Sequence, residues 1–118
     1  MTDETRNNSY NGWKNYETWN VALWLDNEES SQRYWRDVTQ ECYDSAVAEK
    51  PFTRDERARF DLAKRLQEEI VESAPDLGAS MWSDLLNAAM SEVDWLEIAE
   101  SWLSDVDKSQ EGGSDDAE

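Results

Sequence analysis

Twenty-eight of the 118 residues are Asp or Glu, and none is His. Carboxylates can do three kinds of work: paired acid–base catalysis, metal coordination in clusters, and electrostatic recognition in arrays. A flanking pair can hydrolyse a glycosidic bond, but in so acidic a chain such pairs arise by chance and none stands out. Asp26-Asn27-Glu28-Glu29 offers ligand-type oxygens without the spacing or central Gly of a calcium loop. The absence of His removes the usual general base and metal ligand, and with it the triads built on them. Cys42 is the single cysteine, so neither an internal disulfide nor a paired-cysteine zinc site can form. The glycines are Gly12, Gly78, Gly112 and Gly113, which make no phosphate-cradling loop. The expectation is a protein that is not an enzyme and holds no metal or cofactor.

That leaves the array. Acids exceed the 11 Lys and Arg by 17, and unevenly. Residues 1–65 hold 13 acids and 10 bases, whereas residues 66–118 hold 15 acids and one base. Between Arg65 and Lys108 there are 11 acids and no base. Such a field repels nucleic acid and membranes and attracts basic protein surfaces. The groups that could form a partner-binding acidic surface are Glu68, Glu69, Glu72, Asp76, Glu92, Asp94, Glu97, Glu100, Asp105 and Asp107.

Those groups need rigid elements to hold them. The most apolar window is Asn15-Tyr-Glu-Thr-Trp-Asn-Val-Ala-Leu-Trp-Leu-Asp-Asn27, with Asn15 as helix cap and Glu17 in the first turn. A helix apolar nearly all round is a buried one, so this stretch is expected at the centre of the fold, with Trp19, Leu23 and Trp102 in the core; the alternative is a Trp-lined recognition groove. Before it, Tyr10, Trp13, Tyr16 and Trp19 recur every third residue, as an irregular segment laying aromatics onto that core would. A second helix is expected from about Ser30 to Ala48 on Tyr34, Trp35, Val38, Cys42 and Ala46, with Lys50-Pro51 as its stop. Thr53-Arg54-Asp55-Glu56 is a capping box. The helix it opens should reach about Ala74, bury Phe60, Ala63, Leu66, Ile70 and Ala74, and pair Arg57–Asp61 and Asp61–Arg65. Pro75 and Gly78 end it. A fourth helix, near Ser80–Met90, turns Trp82, Leu85, Leu86 and Ala89 inward. A fifth, about Glu92–Val106, carries Trp95, Ile98, Ala99, Trp102, Leu103 and Val106 at the amphipathic spacing.

The reading is therefore all-α: a single small domain of about five helices over residues 12–107. A flexible arm over 1–11 precedes it, and a disordered acidic tail over 108–118 follows. The polar start gives no secretory leader, no apolar run reaches membrane-span length, and a reducing, cytoplasmic setting fits the lone buried Cys42.

Two stretches carry a resemblance. Asn15–Asn27 resembles the signature of a family of small uncharacterised acidic proteins of phages and other mobile elements. Ser91-Glu-Val-Asp-Trp-Leu-Glu-Ile-Ala-Glu100 resembles that family's C-terminal motif, and the two cover about a fifth of the chain. The resemblance implies a mobile-element setting and a small helical domain, and it brings no catalytic residues. In size, helical pattern and charge the chain is also similar to the acidic phage antirestriction proteins that mimic DNA, with no shared motif.

Acids at i,i+3 and i,i+4 on a helix lie about 6 Å apart, close to the spacing of phosphates on a strand. A DNA-binding protein gains much of its affinity through a basic groove, which a fixed acidic surface can occupy. The expected function is a DNA-mimic inhibitor of a host DNA-binding defence protein of restriction or CRISPR type. Its partner would be that protein's basic groove, with no direct contact to nucleic acid or membrane and a homodimer left open. The competing reading is a salt-adapted helical interaction module with no mimicry. It fits seven Arg against four Lys, but would spread acid evenly rather than gather it in the second half.

Overall fold

The computed structural model describes residues 10–106; residues 1–9 of the expected arm, Asp107 and the expected tail 108–118 lie outside the described residues. Five helices follow one another: α1 Tyr16–Asn27, α2 Glu29–Ser45, α3 Arg54–Glu72, α4 Met81–Ser91 and α5 Trp95–Leu103. No strand occurs among the described residues, and two isolated bridges, Tyr10 to Trp13 and Glu49 to Phe52, close turns. The all-α, five-helix reading holds.

Local chemistry sets the helix starts. Four helices open on a side-chain cap: Asn15, Thr53, Ser80 and Asp94. Each accepts a backbone N–H that the helix itself cannot satisfy. The expected capping box is present in both directions, Glu56 N–H to Thr53 Oγ1 at 3.1 Å and Thr53 N–H to Glu56 Oε1 at 2.9 Å. Gly78 has φ +66, a conformation L side chains rarely adopt, and its N–H donates to Asp76 Oδ1 at 3.0 Å. At the end of α2, the Arg54 guanidinium donates to the carbonyls of Tyr43 and Asp44, two of the acceptors a helix C-terminus leaves open. It also lies 4.3 Å from the centre of the Tyr43 ring.

The core forms where α3 meets α5, with α2 laid across both and α1 packed on α2 and α5. Leu62, Leu66, Ile98, Ala58 and Ala99 are fully buried. The buried face of α3 thus runs Ala58, Leu62, Ala63, Leu66, where the sequence suggested Phe60, Ala63, Leu66, Ile70 and Ala74. Phe60 instead stacks edge-on against Phe52 at 5.5 Å, largely exposed. α3 ends at Glu72, before Ala74. The Asp61 pairs do not form, because Arg57 reaches Glu49 and Arg65 reaches Glu69.

α1 is not the buried centre. Among its residues only Thr18 and Leu25 are buried; Trp19 and Leu23 are half-buried and Trp24 is 67% exposed. Trp102 is likewise half-buried. The reason is polar. Thr18, not an apolar residue, is the part of α1 that enters the protein, with 0% exposure. Its Oγ1 accepts from the Asp94 N–H at 2.9 Å and donates to Asn15 Oδ1 at 2.6 Å. Asn15 Oδ1 also accepts from the Thr18 N–H, and Asn15 Nδ2 donates to the Glu92 carbonyl at 2.8 Å. Asp94 caps Glu97 N–H at 3.2 Å, and Glu97 Oε1 accepts from Lys14 N–H at 3.0 Å. The starts of α1 and α5 are thus tied by one continuous hydrogen-bond chain.

Thr18→Val keeps the side-chain shape and removes the hydroxyl, leaving the Asp94 N–H without its partner. An unsatisfied buried polar group costs about 1–3 kcal/mol, so a clear fall in Tm is expected. Leu62→Ala, a full core truncation, should cost about 2–5 kcal/mol and serves as the reference. A Thr18→Val melt that overlays wild type would show the tie to be dispensable.

Candidate interaction surfaces

The ten carboxylates singled out in the sequence fall into three groups. Four hold the structure together. Asp94 is the α5 cap, and Glu97 binds the Lys14 backbone. Glu100 is held by Arg59 at 2.7 Å. Glu69 accepts the Tyr34 hydroxyl at 2.6 Å and Arg65 Nε at 3.0 Å. Burial raises the Glu97 carboxyl above its ordinary value against the lowering pull of the Lys14 N–H. A second group is loosely engaged: Glu68 lies 4.0 Å from Lys64, and Asp76 accepts within its own loop. The third comprises Glu72, Glu92 and Asp105, exposed side chains without a polar partner among the described residues. Asp107 lies outside the described residues. The stripe read from sequence is therefore broken: Lys64 and Arg65 meet Glu68 and Glu69 one turn on within α3, and α3 brings Arg59 beside Glu100, whose own sequence neighbourhood lacks cations.

The Glu69 contacts tie α2 to α3 and set a pH dependence. The Tyr34 hydroxyl, with help from Arg65, holds Glu69 below its ordinary value of 4.5. A lowered folded value means that the ionised carboxylate stabilises the fold above the ordinary value. That stabilisation is lost as pH falls through the folded value. For Glu69→Gln, the Tm deficit relative to wild type is expected to be largest near neutrality and to shrink below about pH 4.5. In the same variant the Tyr34 hydroxyl, held above 10.0 chiefly by Glu69, should ionise closer to 10.0. A Tm deficit independent of pH would show that the charge on Glu69 contributes nothing.

Two further surfaces lie outside the ten carboxylates, and the second is the Trp-lined groove that the sequence offered as the lesser reading of the Trp19 stretch. α4 has no buried residue and no extensive contact with another helix. Trp82 and Leu85, expected inside, are 63% and 55% exposed, and Met81 is 61% exposed. They share one face at i, i+1 and i+4, while Leu86 and Ala89 are half-buried. An exposed apolar face of this kind marks an interaction site more often than a solvated helix. The spacing that suggested a core face was real; what the sequence could not say was that nothing among the described residues covers it.

The second is a cleft of about 240 Å³ between α1 and the end of α5, lined by Trp13, Trp19, Leu23, Asp26, Trp102 and Asp105 among others. Three residues expected in the core, Trp19, Leu23 and Trp102, line it, and of these Trp102 also packs against the buried cluster. Trp19 is held by Tyr10 and Tyr16, with ring centroids 5.1 and 5.5 Å away. The three-residue aromatic recurrence therefore does lay rings together, at the mouth of a hollow rather than over a sealed core.

Among the described residues there is no group of three or more metal-type ligands, and no helix is long and apolar enough to cross a membrane. These features define a small all-α protein whose exposed arrays are acidic, apolar and aromatic. The chain belongs to the family described as "Family of unknown function (DUF7249)", whose model matches residues 6–102. Both motifs, residues 15–27 and 91–100, lie inside that match. No curated protein and no solved structure matches the chain.

Proposed function

We propose that this protein is a non-enzymatic binding protein of a mobile element. Its partner would be a basic, DNA-handling host-defence protein whose DNA-binding groove it covers. One observation carries the reading. α4 and the segments on either side of it present Asp76, Asp84 and Glu92 around an exposed apolar face, and residues 66–106 contain no cation. A surface of that composition complements a groove lined with Lys and Arg that also offers apolar contact. The described residues carry 21 acids against nine bases, so the surface stays strongly negative after its internal pairs are formed. Mimicry here would rest on Glu68, Glu72, Glu92 and Asp105, since Glu69, Asp94, Glu97 and Glu100 are engaged in holding helices.

A second reading has its own support. Asp26, Glu28, Glu29, Asp37, Glu41, Asp44, Glu49 and Asp55 are all exposed, so acid covers the first half of the surface as well. That is the distribution expected of a salt-adapted interaction module.

The test is competition with DNA for a panel of restriction and CRISPR effectors, beside thermal melts from low to molar salt. The proposal expects inhibition that weakens steeply with salt. It also expects loss of competition in the combined Glu68→Lys, Glu72→Lys, Glu92→Lys variant, with helix content unchanged. Glu69 is left intact because reversing it would break its contacts to Tyr34 and Arg65. Single changes such as Glu72→Gln should each shift binding by no more than about 1 kcal/mol. No inhibition across the panel, with stability that requires molar salt, would favour salt adaptation.

A further inference from the structure

We propose that the cleft between α1 and the end of α5 binds an organic cation, a guanidinium or methylated ammonium head. Trp13, Trp19 and Trp102 would supply the aromatic faces, and Asp26 and Asp105 the counter-charges. This does not rest on competition with DNA.

Several independent features favour a cation there. Trp19, Leu23 and Asp26 follow one another on one face of α1 at i, i+4 and i+7, and Trp102 and Asp105 close the opposite side at i and i+3. Among the described residues no Lys or Arg lines the hollow. Asp26 accepts a side-chain hydrogen bond from Gln32 at 2.9 Å, and Asp105 has no side-chain partner among the described residues. Trp102 and Asp105 sit at the C-terminal end of α5, which has no basic residue in its last turn. The carbonyls there carry the negative end of the helix dipole. The indole faces add their own attraction for positive charge.

The aromatic lining decides which cation. A small inorganic ion keeps its hydration shell and gains little from an indole. A guanidinium or methylated ammonium is weakly hydrated and exchanges that shell for ring contact at small cost. The volume, about 240 Å³, suits a head group with a short stem. The two Tyr rings against Trp19 fix it in place before any ligand arrives, which limits the ordering cost of binding. The same chemistry could come from a free small cation or from an Arg or methylated Lys side chain on a partner.

The full chain is titrated at constant ionic strength with tetramethylammonium, ethylguanidinium and N-acetyl-arginine methylamide. Sodium and neutral tert-butanol are the controls, and the indole N–H signals are followed by NMR. Saturable shifts confined to Trp13, Trp19 and Trp102 among the seven Trp are expected with the organic cations only. Asp105→Asn, an exposed change that leaves the core alone, should weaken binding about threefold to tenfold. Trp102→Leu, checked for helix content, should do the same. Tighter binding of the arginine amide than of ethylguanidinium would assign the source to a partner's side chain, and equal binding would assign it to a free cation. Equal binding of tert-butanol, shifts that merely follow ionic strength, or an unchanged affinity in Asp105→Asn would overturn the proposal.

Discussion

The contact on which the arrangement of this protein depends is polar: the Thr18 hydroxyl, set between Asn15 and the backbone of Asp94. Two helix caps that lie 76 residues or more apart in the chain share their hydrogen bonds there. A cap satisfies orphan N–H groups locally. Here the caps also serve each other, so α1 and α5 can start only in one mutual register. The need for a polar residue follows from α1 itself, which fully buries one aliphatic residue, Leu25, with Val21 and Ala22 only partly buried against the core. Apolar burial alone would leave that helix free to roll on its neighbours. A hydrogen-bonded hydroxyl inside the protein does not permit this, since any other rotation strands buried donors.

Fixing that rotation has consequences for the surface. With Thr18 and Leu25 turned inward, Trp24 must point to solvent, and Trp19 and Leu23 reach only the margin of the core. The aromatic cleft is what remains beside α1 once its register is set. α4, which only Met90 joins to the core, is otherwise left outside it for a different reason. Ala58, Leu62, Leu66, Ile98 and Ala99 already complete the interface between α3 and α5, and α1 and α2 cover its flanks.

Charge follows the same logic. Along the chain, acids without bases fill the second half, yet packing α3 on α5 returns Arg59 to Glu100. Arg65 and Lys64 meet Glu69 and Glu68 one turn on. Segregation in sequence is thus partly undone in space. Of the ten carboxylates singled out, those without a polar partner among the described residues, Glu72, Glu92 and Asp105, are scattered over α3 and the ends of α4 and α5. A field of this kind still directs the protein toward basic surfaces, but it does so through the sum of its charges rather than through an ordered row.

Much of this was legible in the residues alone. Asn15, Thr53 and Ser80 mark helix starts, and Pro75 and Gly78 mark a stop. Trp95, Ile98 and Ala99 show the inward face of α5, all by chemistry confined to a few neighbouring positions. The sequence by itself determined the helix count, the caps at Asn15, Thr53 and Ser80 and the sign of the charge, because each depends on local hydrogen bonding, local periodicity or simple counting. Only the tertiary structure decided which apolar faces are covered. Trp19 and Trp102 line a cleft, the exposed part of α4 meets no neighbour among the described residues, and Asp94 and Glu97 became structural groups. Periodicity shows that a helix has an apolar side; whether that side is buried depends on how many other sides compete for one small core, and that competition is settled by contacts between residues far apart in the chain.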